Sequence, residues 1–128
     1  MIIECMIVGL GGFIGSVLRY LMNQIPLDKS GIFPFNTFLI NVIGAFLISF
    51  FSIYFLTNIS NDLNPNAIKN LSLFLNVGIC GGFTTFSTFA LETTDLIEMG
   101  HFGVAFSYVF LSILLGVIAI FLPRLLLK

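Results

Sequence analysis

The sequence predicts an all-α membrane protein with four transmembrane helices in each subunit. Hydrophobic residues make up 58% of the 128-residue chain and charged residues only 9%, with a mean hydropathy of +1.10. A soluble domain is normally about a quarter charged, so this chain has too few polar side chains to cover a surface that faces water. Four apolar segments, each about the 20 residues that a bilayer-crossing helix needs, alternate with polar loops. We therefore expect a single transmembrane domain over residues 1–128.

The first predicted span, residues 2–22, carries a stripe of glycines at positions 9, 11, 12 and 15. Small residues at such spacing let the backbones of two helices approach closely in lipid. We expect these glycines to pack against another helix of the same subunit. Arg19 stands near the end of the span, and the polar stretch NQIPLDKSGIFP that follows contains the proline and glycine signals of a loop.

The second predicted span, residues 35–56, is apolar except for a few small polar residues and two asparagines, of which Asn41 lies well inside. A carboxamide within lipid is unfavourable unless it faces a partner or water. Its amide group offers two N–H donors. Two roles therefore remain open for Asn41, namely a hydrogen bond to another helix or a contact with an ion in a pore.

The third predicted span, residues 71–91, contains the stretch GICGGFTTFSTFALE, in which two glycines precede four hydroxyl residues within positions 81–88. Each glycine destabilises a helix interior by about 1 kcal/mol relative to alanine. Non-helical backbone at membrane depth is tolerated only where it is buried in protein or lines a water-filled cavity. The residues alone leave two possibilities open, a tightly packed Ser/Thr/Gly-rich helix or a helix that is broken near positions 81–85.

The fourth predicted span, residues 102–122, places Tyr108 and Ser112 four residues apart, so that they share one helix face. Gly116 is the next position on that face. An acidic patch at positions 92–98 separates this span from the third, and we assign it no ion-binding role.

The segments GGFIGSVLRY, NTFLINVIGAF, GICGGFTTFSTFALE and YVFLSILLG occur in this order along the chain. Together they resemble the Fluc or CrcB family of small fluoride ion channels, and the resemblance covers essentially the whole chain. It implies a fluoride-selective channel that exports fluoride passively across a bacterial plasma membrane and performs no catalysis. It further implies that the third helix is broken mid-membrane and that two subunits form an antiparallel, dual-topology dimer with two pores.

The resemblance also implies site residues. The fluoride pathway would comprise Arg19, Asn41, Phe86, Ser87, Thr88, Phe89, Tyr108 and Ser112. A single structural Na⁺ at the dimer centre would be held by the backbone carbonyls of Gly81 and Thr84 from each subunit, and ligation by oxygen alone suits a hard cation. Gly116 departs from the pattern, because some relatives carry a hydroxyl there to extend the polar track.

The basic residues give almost no orientation signal. With four spans, Lys69, Arg124 and Lys128 lie on one side, and Arg19 and Lys29 lie on the other. Such a weak bias permits insertion in both orientations, as an antiparallel homodimer requires. A heterodimer with a homologous chain is the alternative. No basic run suggests a nucleic-acid partner.

Two other functions compete with the channel hypothesis. A small dual-topology, proton-coupled multidrug-type exporter needs an acidic residue inside the first span, but Glu4 lies close to the terminus. A non-transporting assembly subunit would leave the polar third span unexplained. Dependence of transport on a proton gradient identifies the exporter, and absence of any flux favours the assembly subunit.

Overall fold

A computed structural model describes residues 1–27 and 31–127, and within them all regular secondary structure is helical. The α-helices are α1 (Ile2–Asn23), α2 (Phe35–Tyr54), α3 (Pro65–Ser72), α4 (Gly81–Phe83), α5 (Phe86–Glu98) and α6 (Phe102–Leu126). A π-helical turn, Phe55–Ile59, extends α2, and a π-helical stretch, Leu73–Cys80, joins α3 to α4.

These helices form four segments long and apolar enough to cross a membrane: Ile2–Asn23, Phe35–Ile59, Pro65–Glu98 and Phe102–Leu126. The third, Pro65–Glu98, is hereafter the third span. This arrangement confirms the prediction of an all-α chain with four long apolar helices. Along the chain, α1 packs mainly against the first half of the third span, and α2 packs mainly against α6.

The third span is longer than the apolar segment from which we predicted it. Its helix begins at Pro65, six residues before the predicted start, and Asn64 caps it, because Oδ1 of Asn64 accepts a hydrogen bond from Ala67 N at 2.8 Å. Proline suits the first helical position, where its missing N–H would have had no partner. The Asn-Pro pair therefore marks a helix start inside a stretch that we had interpreted as a loop.

Three glycines of the α1 stripe, Gly11, Gly12 and Gly15, pack directly on the third span as predicted, whereas an added Cβ at Gly9 would meet no atom within 4 Å. A Cβ atom added to Gly11 would lie 2.9 Å from the Cα of Gly78, and one added to Gly82 would lie 2.6 Å from the carbonyl oxygen of Gly12. A Cβ at Gly15 would overlap the backbone of the third span in the same way. The two helices therefore approach to backbone contact along this stripe, which only glycine permits.

Buried hydroxyl and amide groups join α2 to its neighbours. Ser49 Oγ donates to the carbonyl oxygen of Ile120 in α6 at 2.6 Å, and Asn76 Nδ2 in the third span donates to Ser52 Oγ at 3.0 Å. Interhelical hydrogen bonds of this kind stabilise membrane bundles by about 0.6 kcal/mol on average and at most about 1.7 kcal/mol.

We expect Ser49→Ala to lower the free energy of unfolding by about 1 kcal/mol, because Ser49 is only 6% exposed and its bond to Ile120 is short. Thermal unfolding of the protein in detergent measures the change. Ser60→Ala is the matched control, since Ser60 is exposed and its hydroxyl donates only to Leu56 of the same helical segment. Equal unfolding temperatures for the two variants would contradict the assignment.

The basic residues can be placed only in part, because Lys29 and Lys128 lie outside the described residues. Lys69 Nζ forms an ion pair with Glu4 Oε1 at 2.8 Å, which ties the start of α1 to α3. Arg19 is half-buried on α1, and Arg124 is exposed in the last turn of α6.

Candidate functional site

The third span is interrupted at Thr84 and Thr85. The helix ends at Phe83, and both threonines adopt extended backbone conformations, with ψ values of 156° and 114°. Helix α5 then begins at Phe86. Thr84 closes the preceding turn, because its backbone N and its Oγ1 both donate to the carbonyl oxygen of Cys80, at 3.0 and 2.9 Å. Of the two possibilities that the sequence left open, the broken helix is therefore confirmed.

Asn41 of α2 bridges the break through two hydrogen bonds. Its Oδ1 accepts from Thr85 N at 2.8 Å, and its Nδ2 donates to the carbonyl oxygen of Thr85 at 3.1 Å. This pairing satisfies both backbone groups of Thr85, each of which would cost several kcal/mol if left unpaired in hydrocarbon. Asn41 thus forms the interhelical bond that was one of its two possible roles. Within the described residues its second N–H has no partner and remains available for another acceptor.

Thr85 also caps the second half of the span. Its Oγ1 accepts from Thr88 N at 3.2 Å and donates to Thr88 Oγ1 at 3.1 Å, an N-cap arrangement typical of threonine. The hydroxyl of Thr88, a predicted pathway residue, is therefore engaged by Thr85. Sequence interpretation missed this capping role, although a Thr before the helical run FSTFALE is a recognisable start signal.

Two backbone carbonyls at the break lose their helical donors. In a continuous α-helix, Thr85 N would bond to the carbonyl of Gly81, and Thr88 N would bond to the carbonyl of Thr84. Both N–H groups are instead taken by side-chain oxygens, those of Asn41 and of Thr85 itself. The carbonyl oxygens of Gly81 and Thr84, the residues predicted to bind sodium, are therefore without these two helical donors.

An open groove of about 440 Å³ runs along the break. Its walls include six of the predicted site residues, namely Asn41, Gly81, Thr84, Phe86, Phe89 and Ser112. Gly44 of α2 lets the side chain of Thr84 pack against α2, since a Cβ at position 44 would overlap the methyl group of Thr84. None of the described residues that line this groove is charged.

The groove combines uncommitted donors with aromatic rings. Ser112 Oγ is buried and has no hydrogen-bond partner within the described part of the chain. The ring centroids of Phe86 and Phe89 lie 5.9 Å apart, and Phe86 is 78% exposed toward the open side. The edge of an aromatic ring is electropositive. The groove therefore offers neutral donors beside two aromatic rings and carries no fixed charge that would bind a small anion deeply.

The remaining predicted residues lie outside the lining of this groove. Tyr108 is fully buried behind Phe89, with ring centroids 5.0 Å apart, and its hydroxyl lies 3.4 Å from Glu92 Oε1. Ser87 is exposed at the start of α5. Arg19 lies on α1, which packs against the first half of the third span, and is not among the lining residues.

Glu92 is half-buried on α5, next to the predicted pathway residue Tyr108. With Asn36 and Thr37 of α2 it lines a second, polar pocket of about 270 Å³. Glu92 follows Phe89 by three residues, so the two share one face of α5. This spacing could have identified Glu92 from the sequence as a residue near the pathway. From the sequence we assigned Glu92 no ion-binding role.

The fold and the groove define a multi-pass membrane protein whose third span is broken beside an uncharged groove. Residues 6–123 match the family model described as CrcB-like protein, Camphor Resistance (CrcB). The chain belongs to this family, which confirms the resemblance seen in its motifs.

Curated relatives are similar over most of their length. The fluoride-specific ion channel FluC of Bacteroides fragilis is 44% identical over 122 residues, covering 91% of this chain and 90% of the relative. FluC of Oceanobacillus iheyensis is 46% identical over 112 residues, covering 88% and 81%. FluC 1 of Mycobacterium bovis is 36% identical over 118 residues, covering 92% and 85%.

Proposed function

We propose that the protein is a fluoride-selective ion channel that exports fluoride passively and so limits its toxicity in the cytoplasm. The observation that carries this proposal is the uncharged groove at the break, with its uncommitted donors and its aromatic pair. Membership of the CrcB family supports it, as do similar proteins that are named fluoride-specific ion channels. The plasma membrane of a bacterium is the proposed location.

Fluoride holds its hydration shell tightly, so a pathway must replace water with other donors. The free N–H of Asn41 and the unpartnered hydroxyl of Ser112 supply two such donors on the groove wall. The ring edges of Phe86 and Phe89 add weak attraction. Rapid conduction needs sites that bind strongly enough to admit the ion and weakly enough to release it, and uncharged donors beside aromatic rings are suited to such intermediate affinity.

Residues beyond the groove extend the proposed pathway. Ser87, Thr88 and Tyr108 carry hydroxyls on α5 and α6, next to the groove residues Phe86 and Phe89. Arg19 on α1 would attract anions electrostatically toward the entrance from a greater distance. Gly116, at the far end of the track on α6, has open space around it and adds no donor.

The proposed assembly is an antiparallel, dual-topology homodimer that is joined at the break by one structural Na⁺. The carbonyls of Gly81 and Thr84 from each subunit would supply four oxygen ligands. They suit this role because the N–H groups that would bond to them in a continuous helix donate to side-chain oxygens instead. When bound, the ion supplies positive charge that offsets the converging carbonyl dipoles. Gly81 is exposed and Phe86 is 78% exposed, which supports a second copy on this face.

The multidrug-type exporter is the weaker candidate. Proton-coupled exchange of cations needs a carboxylate in the transport site, and the described residues that line the groove include none. Glu4 lies near the start of α1 and pairs with Lys69. The groove therefore favours an anion pathway.

Fluoride efflux from liposomes that contain the purified protein, read with a fluoride electrode, tests the proposed function. We expect rapid efflux driven by membrane potential, with chloride much slower. Phe86→Ile should slow fluoride efflux by at least about tenfold, because it replaces an electropositive ring edge on the groove with an aliphatic side chain.

Phe106→Ile is the matched control for this substitution. Phe106 is 73% exposed on α6 and does not line the groove, so its replacement should leave efflux unchanged. Flux that requires a proton gradient would identify the exporter instead. A folded protein with no flux, alone or co-expressed with a homologous chain, would favour the assembly subunit.

A further inference from the structure

We propose that Asn41 and Thr85 are positioning residues for the cation site, because their side-chain oxygens keep the Gly81 and Thr84 carbonyls free. The inference rests on the sodium site of the proposed function and extends it to residues that do not themselves contact the ion. If the inference is correct, the affinity of the site for Na⁺ depends on the hydrogen bonds across the break and not on the glycine pair alone.

The first step concerns Thr85 N. Hydrocarbon favours a continuous helix, because every unpaired backbone group in lipid costs several kcal/mol. The break persists because Oδ1 of Asn41 offers Thr85 N an alternative acceptor at 2.8 Å. Without that oxygen, Thr85 N could pair with the Gly81 carbonyl and extend the helix. The acceptor on α2 therefore decides whether the Gly81 carbonyl is free.

The second step concerns Thr88 N. Its hydrogen bond to Thr85 Oγ1, at 3.2 Å, replaces the helical bond to the Thr84 carbonyl. Thr85 is only 8% exposed, so no bulk water competes for this hydroxyl. The ψ angle of Thr84, 156°, turns its carbonyl by about 160° from an α-helical orientation. The Thr84 carbonyl thus departs from the orientation that the carbonyls of the preceding helix share.

These two steps link the anion groove to the cation site. The carboxamide of Asn41 lines the groove and also forms two hydrogen bonds with Thr85. The hydrogen bonds of Thr85 in turn determine whether the carbonyls of Gly81 and Thr84 are free. We therefore expect substitutions of Asn41 to weaken sodium binding as well as fluoride passage. A residue that served only to line the pore would affect passage alone.

The test is the unfolding temperature of the purified protein in detergent as a function of Na⁺ concentration, with N-methylglucamine replacing Na⁺ at constant ionic strength. For the wild type we expect the temperature to rise with Na⁺. Thr85→Val removes one acceptor at nearly constant side-chain volume. The Na⁺ concentration at which half of the stabilisation is reached, the Na⁺ midpoint, should then rise by about tenfold, because the loss of one hydrogen bond weakens binding by about that factor. Asn41→Leu should give a similar shift.

Two further variants separate this role from a general loss of stability. Thr85→Ser keeps the acceptor oxygen and should retain the wild-type midpoint. Thr94→Val makes the same chemical change at an exposed site on α5, where the hydroxyl bonds only to Ala90 of its own helix, and should also retain it. If Thr85→Val does not fold, Thr85→Ala removes the same oxygen without adding a methyl group.

An unchanged midpoint in both Thr85→Val and Asn41→Leu would overturn the inference, as would a wild type that Na⁺ does not stabilise. Fluoride efflux is measured separately on the same preparations. A wild type without efflux, but with sodium-dependent stability that Thr85→Val weakens, would reject the fluoride channel and leave the role of Asn41 and Thr85 supported.

Discussion

Asn41→Asp is expected to reduce fluoride efflux by about a thousandfold. The substitution replaces the amide donors of Nδ2 with a second carboxylate oxygen, so the bond to the Thr85 carbonyl is lost and two oxygens face each other. It also places a negative charge on the wall of the groove. At an effective dielectric constant of about 20, two unit charges about 4 Å apart repel by about 4 kcal/mol, which corresponds to about a thousandfold lower anion occupancy.

Electrode recordings of fluoride efflux from liposomes measure this effect, and gel filtration of the same preparation establishes that the variant is folded. Asn58→Asp is the control, because it makes the same change in net charge at an exposed position in the π-helical turn after α2. Wild-type efflux from folded Asn41→Asp protein would remove Asn41 from the proposed pathway.

Gly15→Val is expected to destabilise the native fold strongly. A Cβ at this position would overlap the carbonyl oxygen of Ile79 and lie 2.9 Å from Phe83 N. Both contacts are with backbone atoms, which cannot rotate away as a side chain could. Relief requires α1 to separate from the third span at the contacting glycines Gly11, Gly12 and Gly15, so the destabilisation should reach or exceed about 3 kcal/mol, the upper end of usual overpacking effects.

The measurement is the yield of monodisperse protein in gel filtration and its unfolding temperature. Gly9→Val is the matched control, because it lies on the same helix with no atom within 4 Å of an added Cβ. A Gly15→Val protein that unfolds within a few degrees of the wild type would show that the two helices are not held at backbone contact.

Hydropathy and glycine content were enough to predict the main features of the fold. The four long helices follow from four apolar segments. A glycine pair and a run of hydroxyls, which form helix poorly, made an interruption at Thr84 and Thr85 one of two possibilities, and the family resemblance favoured it. The packing of α1 on the third span follows from the stripe that includes Gly11 and Gly15. Each of these features is encoded locally, within one or two helical turns.

The features that could not be predicted depend on contacts between distant segments. Asn41 and Thr85 are 44 positions apart, so the local sequence around Asn41 does not predict which carbonyl, amide or ion its carboxamide binds. The π-helical stretch Leu73–Cys80 likewise depends on how the third span fits against α1, because its own sequence is ordinary apolar helix. The predicted pathway residues converge on the groove only in part for the same reason, and Arg19 stands apart from it.

The alternating pairing of helices determines the order in which the chain can complete its packing during synthesis. Helix α1 finds its main partner only when the third span has emerged, and α2 must wait for α6 at the very end. Neighbours in sequence contribute less, so early intermediates have few native contacts and the slower non-local pairings dominate. A ribosome that stops after Gly100 would release a chain in which α1 has its partner, while α2 still exposes the face that α6 should cover.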